Sequence, residues 1–208
     1  MFDSNITIMV IAIACILVSM TLHEAMHAYS SYWLGDDTAK LQGRLSLNPL
    51  KHIDPILTIA IPALLALSGG PIFGAARPVP FNPFRVKFEE FGAALVGIAG
   101  PLTNLVLALA GAGILRLFIG DMSQTVINVF VIFIQVNIGF FVFNMIPFPP
   151  LDGSRVFYAV APEPVQNVMR TIESFGLMGL FLFLFVALPV ISPVLSSIMR
   201  SITNYLLL

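Results

Sequence analysis

The residues of this chain best suited to chemistry stand at the end of its first apolar run, where His23, Glu24 and His27 fall within five positions. No charged residue lies between Ile6 and Leu22. Side chains four positions apart share one face of an α-helix, so His23 and His27 can bind one zinc ion, with Glu24 beside them to take a proton from water. The pattern predicts a hydrolytic metal site inside a hydrophobic segment.

A plainer interpretation of this pattern is a helix face with two exposed histidines. The chain has only three histidines among 208 residues, and two of them fall in the pattern. The plainer interpretation also leaves Glu24 unpaired at the edge of hydrocarbon, where an ionisable group costs at least about 2.5 kcal/mol. We therefore favour the metal site.

The composition is that of a multi-pass membrane protein. Hydrophobic residues make up 58% of the chain and charged residues 10%, against roughly 25% charged residues in soluble domains. We expect a single integral-membrane domain over residues 1–208. A net charge of −1 without a basic block argues against nucleic-acid binding, and Cys15, the lone cysteine, excludes an internal disulfide. The first apolar run has neither a basic start nor a small-residue cleavage site, which favours a retained helix over a signal peptide.

The hydrophobic pattern predicts an all-α membrane protein, a polytopic helix bundle of five to six transmembrane segments with a short re-entrant or β-hairpin element. Core helices are expected at residues 5–33, 91–119 and 125–148, and accessory segments at 55–68, 174–190 and 194–208. Pro189 and Pro193 separate the last two. Small residues at four-residue spacing in the 91–119 segment predict close helix packing; they are Ala93, Gly97, Gly100, Ala108 and Ala112.

A catalytic zinc ion usually has three protein ligands and one water, so one ligand remains to be found. Cys15 lies eight residues before His23 on the same helix, about 12 Å along the axis, and cannot converge with it. Most acidic residues sit in polar loops. Asp152 ends an apolar run and follows prolines that stop a helix, so we favour Asp152 as the third ligand and keep His52 as the alternative. Without a metal, Asp152 would be an ordinary turn aspartate.

This ligand set constrains the topology. His23 and His27 lie near the C-terminal end of the first segment, and Asp152 follows the 125–148 segment. If every segment up to there crossed once, these ends would lie about 30 Å apart, on opposite sides of the bilayer. Segment 55–68 is too short for an easy span, about 21 Å as a helix, and Pro62 interrupts it. We therefore expect 55–68 to be re-entrant.

Amide side chains within apolar runs need partners. Asn104 is expected to hydrogen-bond to another helix, with substrate binding as a weaker candidate role, and Asn137 and Gln135 are also expected to bond between helices. Asn144 lies eight residues before Asp152 and is a candidate to bind a substrate carbonyl or a developing oxyanion.

Three ordered motifs together resemble the site-2 protease family of intramembrane zinc metalloproteases, in its minimal prokaryotic form without PDZ or CBS domains. They are His23-Glu24-x-x-His27, Gly100-Pro101-x-x-Asn104 and Asn144-x-x-Pro147-x-Pro149-Pro150-Leu151-Asp152-Gly153. Two further stretches, residues 43–49 and 76–83, look like the same subgroup, and the resemblance runs from about residue 10 to residue 160.

The resemblance implies one zinc ion per chain held by His23, His27 and Asp152, with Glu24 as the base and Asn144 at the substrate. It implies a multi-pass enzyme of a prokaryotic plasma (inner) membrane. Such an enzyme cleaves peptide bonds within or near transmembrane segments of membrane proteins, so its partners are the lipid bilayer and a transmembrane protein or peptide.

A substrate helix must unwind before attack, and its freed backbone groups then need new partners, which an exposed strand edge supplies. Residues 72–86, rich in Pro and Gly, are our candidate for that edge. Two other functions remain open from the sequence, a membrane metal transporter and a non-catalytic zinc-binding scaffold. Replacing Glu24 by Gln separates them, because only a protease loses its activity while keeping its metal.

Overall fold

The computed structural model describes residues 4–60, 64 and 76–207; these residues are mostly helical and contain no strand. The helices are α1 Ser4–Trp33, α2 Thr38–Leu41, α3 Glu89–Phe118, α4 Gln124–Asn144, α5 Asp152–Val160, α6 Glu163–Ser174, α7 Leu177–Leu182 and α8 Leu188–Leu207. Tight 3-10 turns occur at Pro49–Lys51 and Ile119–Asp121, and wide helical turns at Pro55–Ala60 and Phe183–Ala187. The predicted all-α membrane fold is confirmed.

Four helical stretches in the described part of the chain are long and apolar enough to cross a membrane, namely Ile6–Trp33, Glu89–Asp121, Gln124–Asn144 and Met178–Leu207. The predicted segments 174–190 and 194–208 belong to one continuous helical run, because α8 continues through Pro193. A proline removes one backbone donor, which a helix in a membrane protein tolerates when neighbouring groups compensate. Most of the predicted segment after residue 60 lies outside the described residues.

Helix α3 is central, since it packs against α1, α4 and α5, while α4 also contacts α1 and α8. Ala108 and Ala112 of α3 are buried against Ile134 and Ile138 of α4. A Cβ atom on Gly111 would lie 3.2 Å from the Cγ1 atom of Ile134, so the two backbones are as close as a missing side chain allows. The predicted packing role of small residues holds along this helix pair.

The connection between α1 and α3 ends beside the residue at which it begins. The backbone N–H of Lys87, just before α3, donates to the carbonyl of Leu34, just after α1, at 2.8 Å. The connection over residues 34–88 therefore begins and ends on one side of the bundle. The re-entrant form of residues 55–68 stays a prediction, because most of that segment lies outside the described residues. The predicted strand edge is not formed by residues 76–86, while residues 72–75 lie outside the described ranges.

This return sets the directions of the three central helices. Helices α1 and α4 both run towards the end of the bundle where α5 begins, and α3 runs away from it. The C-terminal half of α1, the N-terminal half of α3 and the first turn of α5 therefore meet at one place.

Candidate metal centre

Three ligand atoms converge where α1, α3 and α5 meet. The Nε2 atoms of His23 and His27 lie 3.0 Å apart, and the Asp152 Oδ2 atom lies 3.1 Å from the first and 3.4 Å from the second. Within the described residues, these three side chains form the group of His, Cys, Asp and Glu able to hold a metal ion, with ligand atoms within 4.8 Å of one another. The structure thus brings together residues separated by 129 positions in the chain.

Helix α5 presents Asp152 because it begins at that residue and packs tightly on the turn after α4. A Cβ atom on Gly153 would come within 2.4 Å of the Met145 carbonyl oxygen. No side chain fits at this position, so glycine allows the first turn of α5 to approach the end of α4. Leu151, directly before Asp152, is buried against Leu180 and Phe183. The residues directly before and after Asp152 are therefore both fixed by packing, which fixes the position of its carboxylate.

The second ring nitrogen of each histidine has a partner that fixes the imidazole. The Nδ1 atom of His27 lies 2.7 Å from the carbonyl oxygen of Val96, and Nδ1 of His23 lies 2.5 Å from Oδ1 of Asn104. A carbonyl oxygen can only accept, so Nδ1 of His27 carries the proton and its Nε2 presents a lone pair. Metal-binding histidines are typically oriented in this way through their other nitrogen.

A buried chain of amides sets the same tautomer on His23. The Asn137 amide nitrogen donates to the carbonyl of Phe133 at 2.8 Å, which leaves its Oδ1 to accept from the amide nitrogen of Asn104, also at 2.8 Å. Oδ1 of Asn104 must then accept from His23. Asn104 and Asn137 are fully buried, and Ser19 accepts from both of them.

Three electron-pair donors at these distances require a positive charge between them. A proton on an imidazole satisfies one pair of atoms, whereas a metal ion satisfies all three at once. Tetrahedral zinc with bonds of about 2.0–2.1 Å separates its ligand atoms by about 3.3 Å, and the observed separations of 3.0, 3.1 and 3.4 Å fit this geometry.

The charge state of Asp152 also suits a metal ligand. Burial by itself raises the pKa of this carboxyl, but its electrostatic and hydrogen-bonding contacts with His27 and His23 together lower it by more, so that its pKa lies well below the ordinary value. Asp152 is therefore a carboxylate at neutral pH, as a metal ligand must be.

Helix α3 leaves space for the ligands at Gly100. A Cβ atom at this position would lie 2.5 Å from Nε2 of His27 and 2.6 Å from Nε2 of His23. Those are the two atoms that would bind the metal, so even one methyl group at this position would take the space next to the metal site. The donor set and the space around it both fit a zinc ion.

Comparison with known proteins agrees with this site. A family model described as Peptidase family M50 matches residues 112–188. A Bacillus subtilis (strain 168) protein named "Putative zinc metalloprotease YwhC" is 42% identical over 188 residues, covering 87% of this chain and 82% of its own length. The chain belongs to peptidase family M50, the site-2 protease family.

More distant relatives of this M50 peptidase carry a similar name. Proteins named "Putative zinc metalloprotease Rip2" from Mycolicibacterium smegmatis and Mycobacterium tuberculosis (strain H37Rv) are 31% and 30% identical. The alignments cover 84% and 86% of this chain, and 66% and 68% of the relatives. No solved structure matches the chain significantly. The predicted family resemblance is confirmed.

In the M50 peptidase, Glu24 follows the first ligand and points to a different partner. Its Oε2 atom accepts a hydrogen bond from the backbone N–H of Val79 at 3.2 Å. Glu24 is not a member of the ligand group, and its role as a base stays a prediction.

The predicted amide residues differ in their positions. Asn104 and Asn137 make the expected bonds between helices, and Asn104 contacts a ligand histidine rather than an open surface. The amide nitrogen of Asn144 donates to the carbonyl of Phe140 on its own helix at 3.0 Å, so its role at the substrate stays a prediction. Gln135 is exposed on α4 rather than buried between helices.

The alternative ligands lie elsewhere. His52 is buried, with Nε2 2.7 Å from the carbonyl of Ser46, and it stabilises a loop. Cys15 is buried as a free thiol on α1. Sequence reasoning missed Val96, because a backbone carbonyl leaves no pattern in the sequence. It assigned Gly100 to helix packing and to a family motif, but missed the space that Gly100 leaves for the ligand histidines. It also missed Arg44 and Asp36, although each directly follows a glycine that ends a helical segment.

Proposed function

We propose that this M50 peptidase is an intramembrane zinc metalloprotease of the plasma membrane, which hydrolyses peptide bonds within or near transmembrane segments of membrane proteins. The observation that carries the proposal is the convergence of His23, His27 and Asp152 beside Glu24 on a helix apolar enough to span the bilayer. The names of the relatives, which include zinc metalloprotease, support it.

The depth of the site supports hydrolysis inside the bilayer. His23 lies ten residues before Trp33, the last residue of α1, which corresponds to about 15 Å along the helix axis. The hydrocarbon core is about 30 Å thick. If Trp33 lies near the membrane surface, the ligands are close to the middle of the bilayer.

The residues divide the work of hydrolysis between them. His23, His27 and Asp152 would hold zinc, which when bound supplies Lewis acidity and makes water a better nucleophile. The Glu24 carboxylate accepts a proton from the attacking water as the new C–O bond forms. Glu24 then returns this proton to the amide nitrogen as the C–N bond breaks, so that a carboxylic acid and an amine leave, and the proton of the acid passes to the amine to give a carboxylate and an ammonium group.

The amide of Asn144 is proposed to bind the substrate. It would have to leave the Phe140 carbonyl and turn towards the site, where its N–H groups can bind the oxygen of the attacked carbonyl.

The test is hydrolysis of a defined membrane peptide. The probe is a synthetic apolar peptide of about 20 residues, the length that spans a bilayer, with a central Gly-Pro pair that loosens its helix, lysines at both ends and a fluorophore–quencher pair. We expect zinc-loaded wild-type protein in nanodiscs to cleave it. Glu24→Gln should keep its zinc and lose roughly 10²-fold or more of the rate, the scale for removing a general base.

Two results would overturn the proposal. Equal cleavage by Glu24→Gln would remove the base from the mechanism. A zinc-loaded wild-type protein that leaves the peptide intact but carries zinc across vesicle membranes would instead support the metal transporter.

A further inference from the structure

A non-helical segment passes beside Glu24, and its backbone is bound by the side chains of Glu24, Asp36 and Arg44. We name residues 76–83 the strap. Its Arg77 N–H donates to the His52 carbonyl at 2.8 Å, and its Asn82 N–H donates to Oδ2 of Asp36 at 2.6 Å. Between these two points the Val79 N–H donates to Glu24. The strap is thus fixed through its main chain.

Arg44 binds the strap most extensively. Its guanidinium donates to the carbonyls of Lys51, Arg77 and Pro78, and its side chain is almost entirely buried at 4% exposure. Burial lowers the pKa of Arg44, the nearby negative charge of Glu24 raises it, and Arg77 lowers it. A planar guanidinium can bridge several carbonyls in one fixed geometry, which a lysine cannot.

Two similar helix ends deliver the groups that hold the strap. After α1, Gly35 has φ of +105° and the N–H of Asp36 donates to the Ser31 carbonyl. After α2, Gly43 has φ of +65° and the N–H of Arg44 donates to the Ala39 carbonyl. Both are Schellman ends, in which glycine takes the left-handed conformation and the next residue turns back over the helix. Asp36 and Arg44 thus reach the strap from helix ends of the same conformation.

The sequence around Val79 leaves one donor at the place where Glu24 needs it. Pro78 and Pro80 have no N–H and fix their own φ angles, and each also disfavours a helical conformation in the residue before it. Val79 therefore offers the single N–H of this three-residue stretch, and that N–H points to Oε2 of Glu24.

We propose that Arg44 and the Val79 N–H are positioning groups for Glu24: Arg44 fixes the Arg77 and Pro78 carbonyls, and the strap in turn holds the Glu24 carboxylate through Val79. A carboxylate has two oxygens, so Oε2 can be held in this way while Oε1 stays available to accept a proton. This inference rests on the proposed function for its catalytic consequence, but not for the hydrogen-bond chain itself.

Amide hydrogen exchange tests the series of hydrogen bonds from Arg44 through the strap to Glu24, and it needs no substrate. Pro78, Pro80 and Pro83 carry no amide hydrogen. Few other amides therefore contribute to the hydrogen exchange measured for a strap peptide that contains Val79. We expect slow exchange at Val79 in wild-type protein in nanodiscs, and faster exchange in Glu24→Ala and in Arg44→Gln. Equal exchange at Val79 in all three proteins would overturn the proposal.

Kinetics with the fluorogenic membrane peptide tests the consequence. Val79→Pro removes the N–H, and Arg44→Gln removes the guanidinium. We expect each to lower kcat by roughly 10- to 100-fold, the range for losing a group that orients a site, with KM and zinc content unchanged. Val79→Ala, which keeps the N–H, should restore most of the lost kcat. An unchanged kcat in Arg44→Gln, or equal losses in Val79→Ala and Val79→Pro, would refute the positioning role.

The matched control is Arg85→Gln. Arg85 is also an arginine near the strap, but it is about half exposed and its guanidinium pairs with Asp37 at the surface. Surface ion pairs contribute about 0–1 kcal/mol, so this variant should keep wild-type kinetics. If wild-type protein fails to cleave the peptide while Val79 is protected as expected, the proposed function fails and the positioning chain stands.

Discussion

The Nδ1 atom of His23 lies 2.5 Å from the Oδ1 atom of Asn104, although 81 residues separate them in the chain. Asn104 is fully buried and its amide nitrogen is already donating to Asn137 and Ser19. Asn104 therefore orients His23, the first ligand of the metal site, through the ring nitrogen that faces away from the other ligands. Its orientation depends on a third helix, α4, through Asn137.

The first prediction follows from this contact. Asn104→Ala should weaken zinc binding by roughly 10- to 100-fold, the range for losing a group that orients a metal ligand. Asn137→Ala should have a smaller effect in the same direction. Competition with a chromophoric chelator on folded protein in detergent measures the affinity. Asn128, an exposed asparagine on the same helix as Asn137, provides the control, and Asn128→Ala should bind zinc as wild type does. Unchanged zinc affinity in Asn104→Ala would reduce the contact to packing.

The second prediction concerns two glycines of α3. Gly100→Ala should abolish zinc binding, because the added methyl would lie 2.5 to 2.6 Å from both Nε2 atoms. Gly113→Ala should bind zinc normally, because nothing lies within 4 Å of its added methyl. It should be equally or more stable, since alanine is favoured over glycine in a helix by about 1 kcal/mol. Zinc content by mass spectrometry and thermal unfolding distinguish the two variants. Stoichiometric zinc in Gly100→Ala would show that α3 does not pack on the ligands as described.

The third prediction identifies the third ligand. Asp152→Asn, which keeps the shape of the side chain, should lose most of the zinc because a neutral amide is a poor replacement for a carboxylate. His52→Ala should keep its zinc while losing stability, since the His52 ring is buried and bonded to the Ser46 carbonyl. The measurement is zinc per folded chain. The opposite pattern, with zinc lost in His52→Ala and kept in Asp152→Asn, would assign the ligand to His52.

The fourth prediction separates binding of metal from turnover. Asn144→Ala should retain zinc, because its amide bonds to Phe140 and not to a ligand. It should lower kcat on the fluorogenic peptide by roughly 10²-fold, the scale for losing one donor to a developing oxyanion. Near wild-type kcat in the zinc-loaded variant would leave Asn144 as a helix-capping residue only.

The fifth prediction tests the return of the chain between α1 and α3. In a Cys15→Ala background, Leu47→Cys and Phe84→Cys place single thiols at positions that are 60% and 97% exposed. Both should react with a membrane-impermeant maleimide from the same side of sealed vesicles, because the Lys87–Leu34 hydrogen bond holds the two ends of the connection together. Labelling from opposite sides would require a complete crossing between them.

The sequence by itself predicted the candidate metal site of this protein and its membrane setting. The spacing of His23, Glu24 and His27 depends only on the helical repeat, and the apolar runs depend only on composition, so local rules were sufficient for both. Elimination pointed to Asp152, with His52 as the alternative, because Cys15 cannot converge with His23 and most other acidic residues sit in polar loops. The requirement that these ligands meet also predicted that the connection after α1 returns to its starting side.

Only the tertiary structure decided what surrounds that chemistry. The packing of three helices places the Asn137–Asn104–His23 chain, the Val96 carbonyl and the bare Cα of Gly100 around the ligands. Backbone groups look alike at every position of a sequence, and a missing side chain acts only through what packs against it. The bond between Val79 and Glu24 is of the same kind, because two helix ends and a distant loop must fold together before one N–H finds its carboxylate. Nor did the two prolines at 189 and 193 separate two helices, since a break in a membrane helix depends on what its neighbours can compensate.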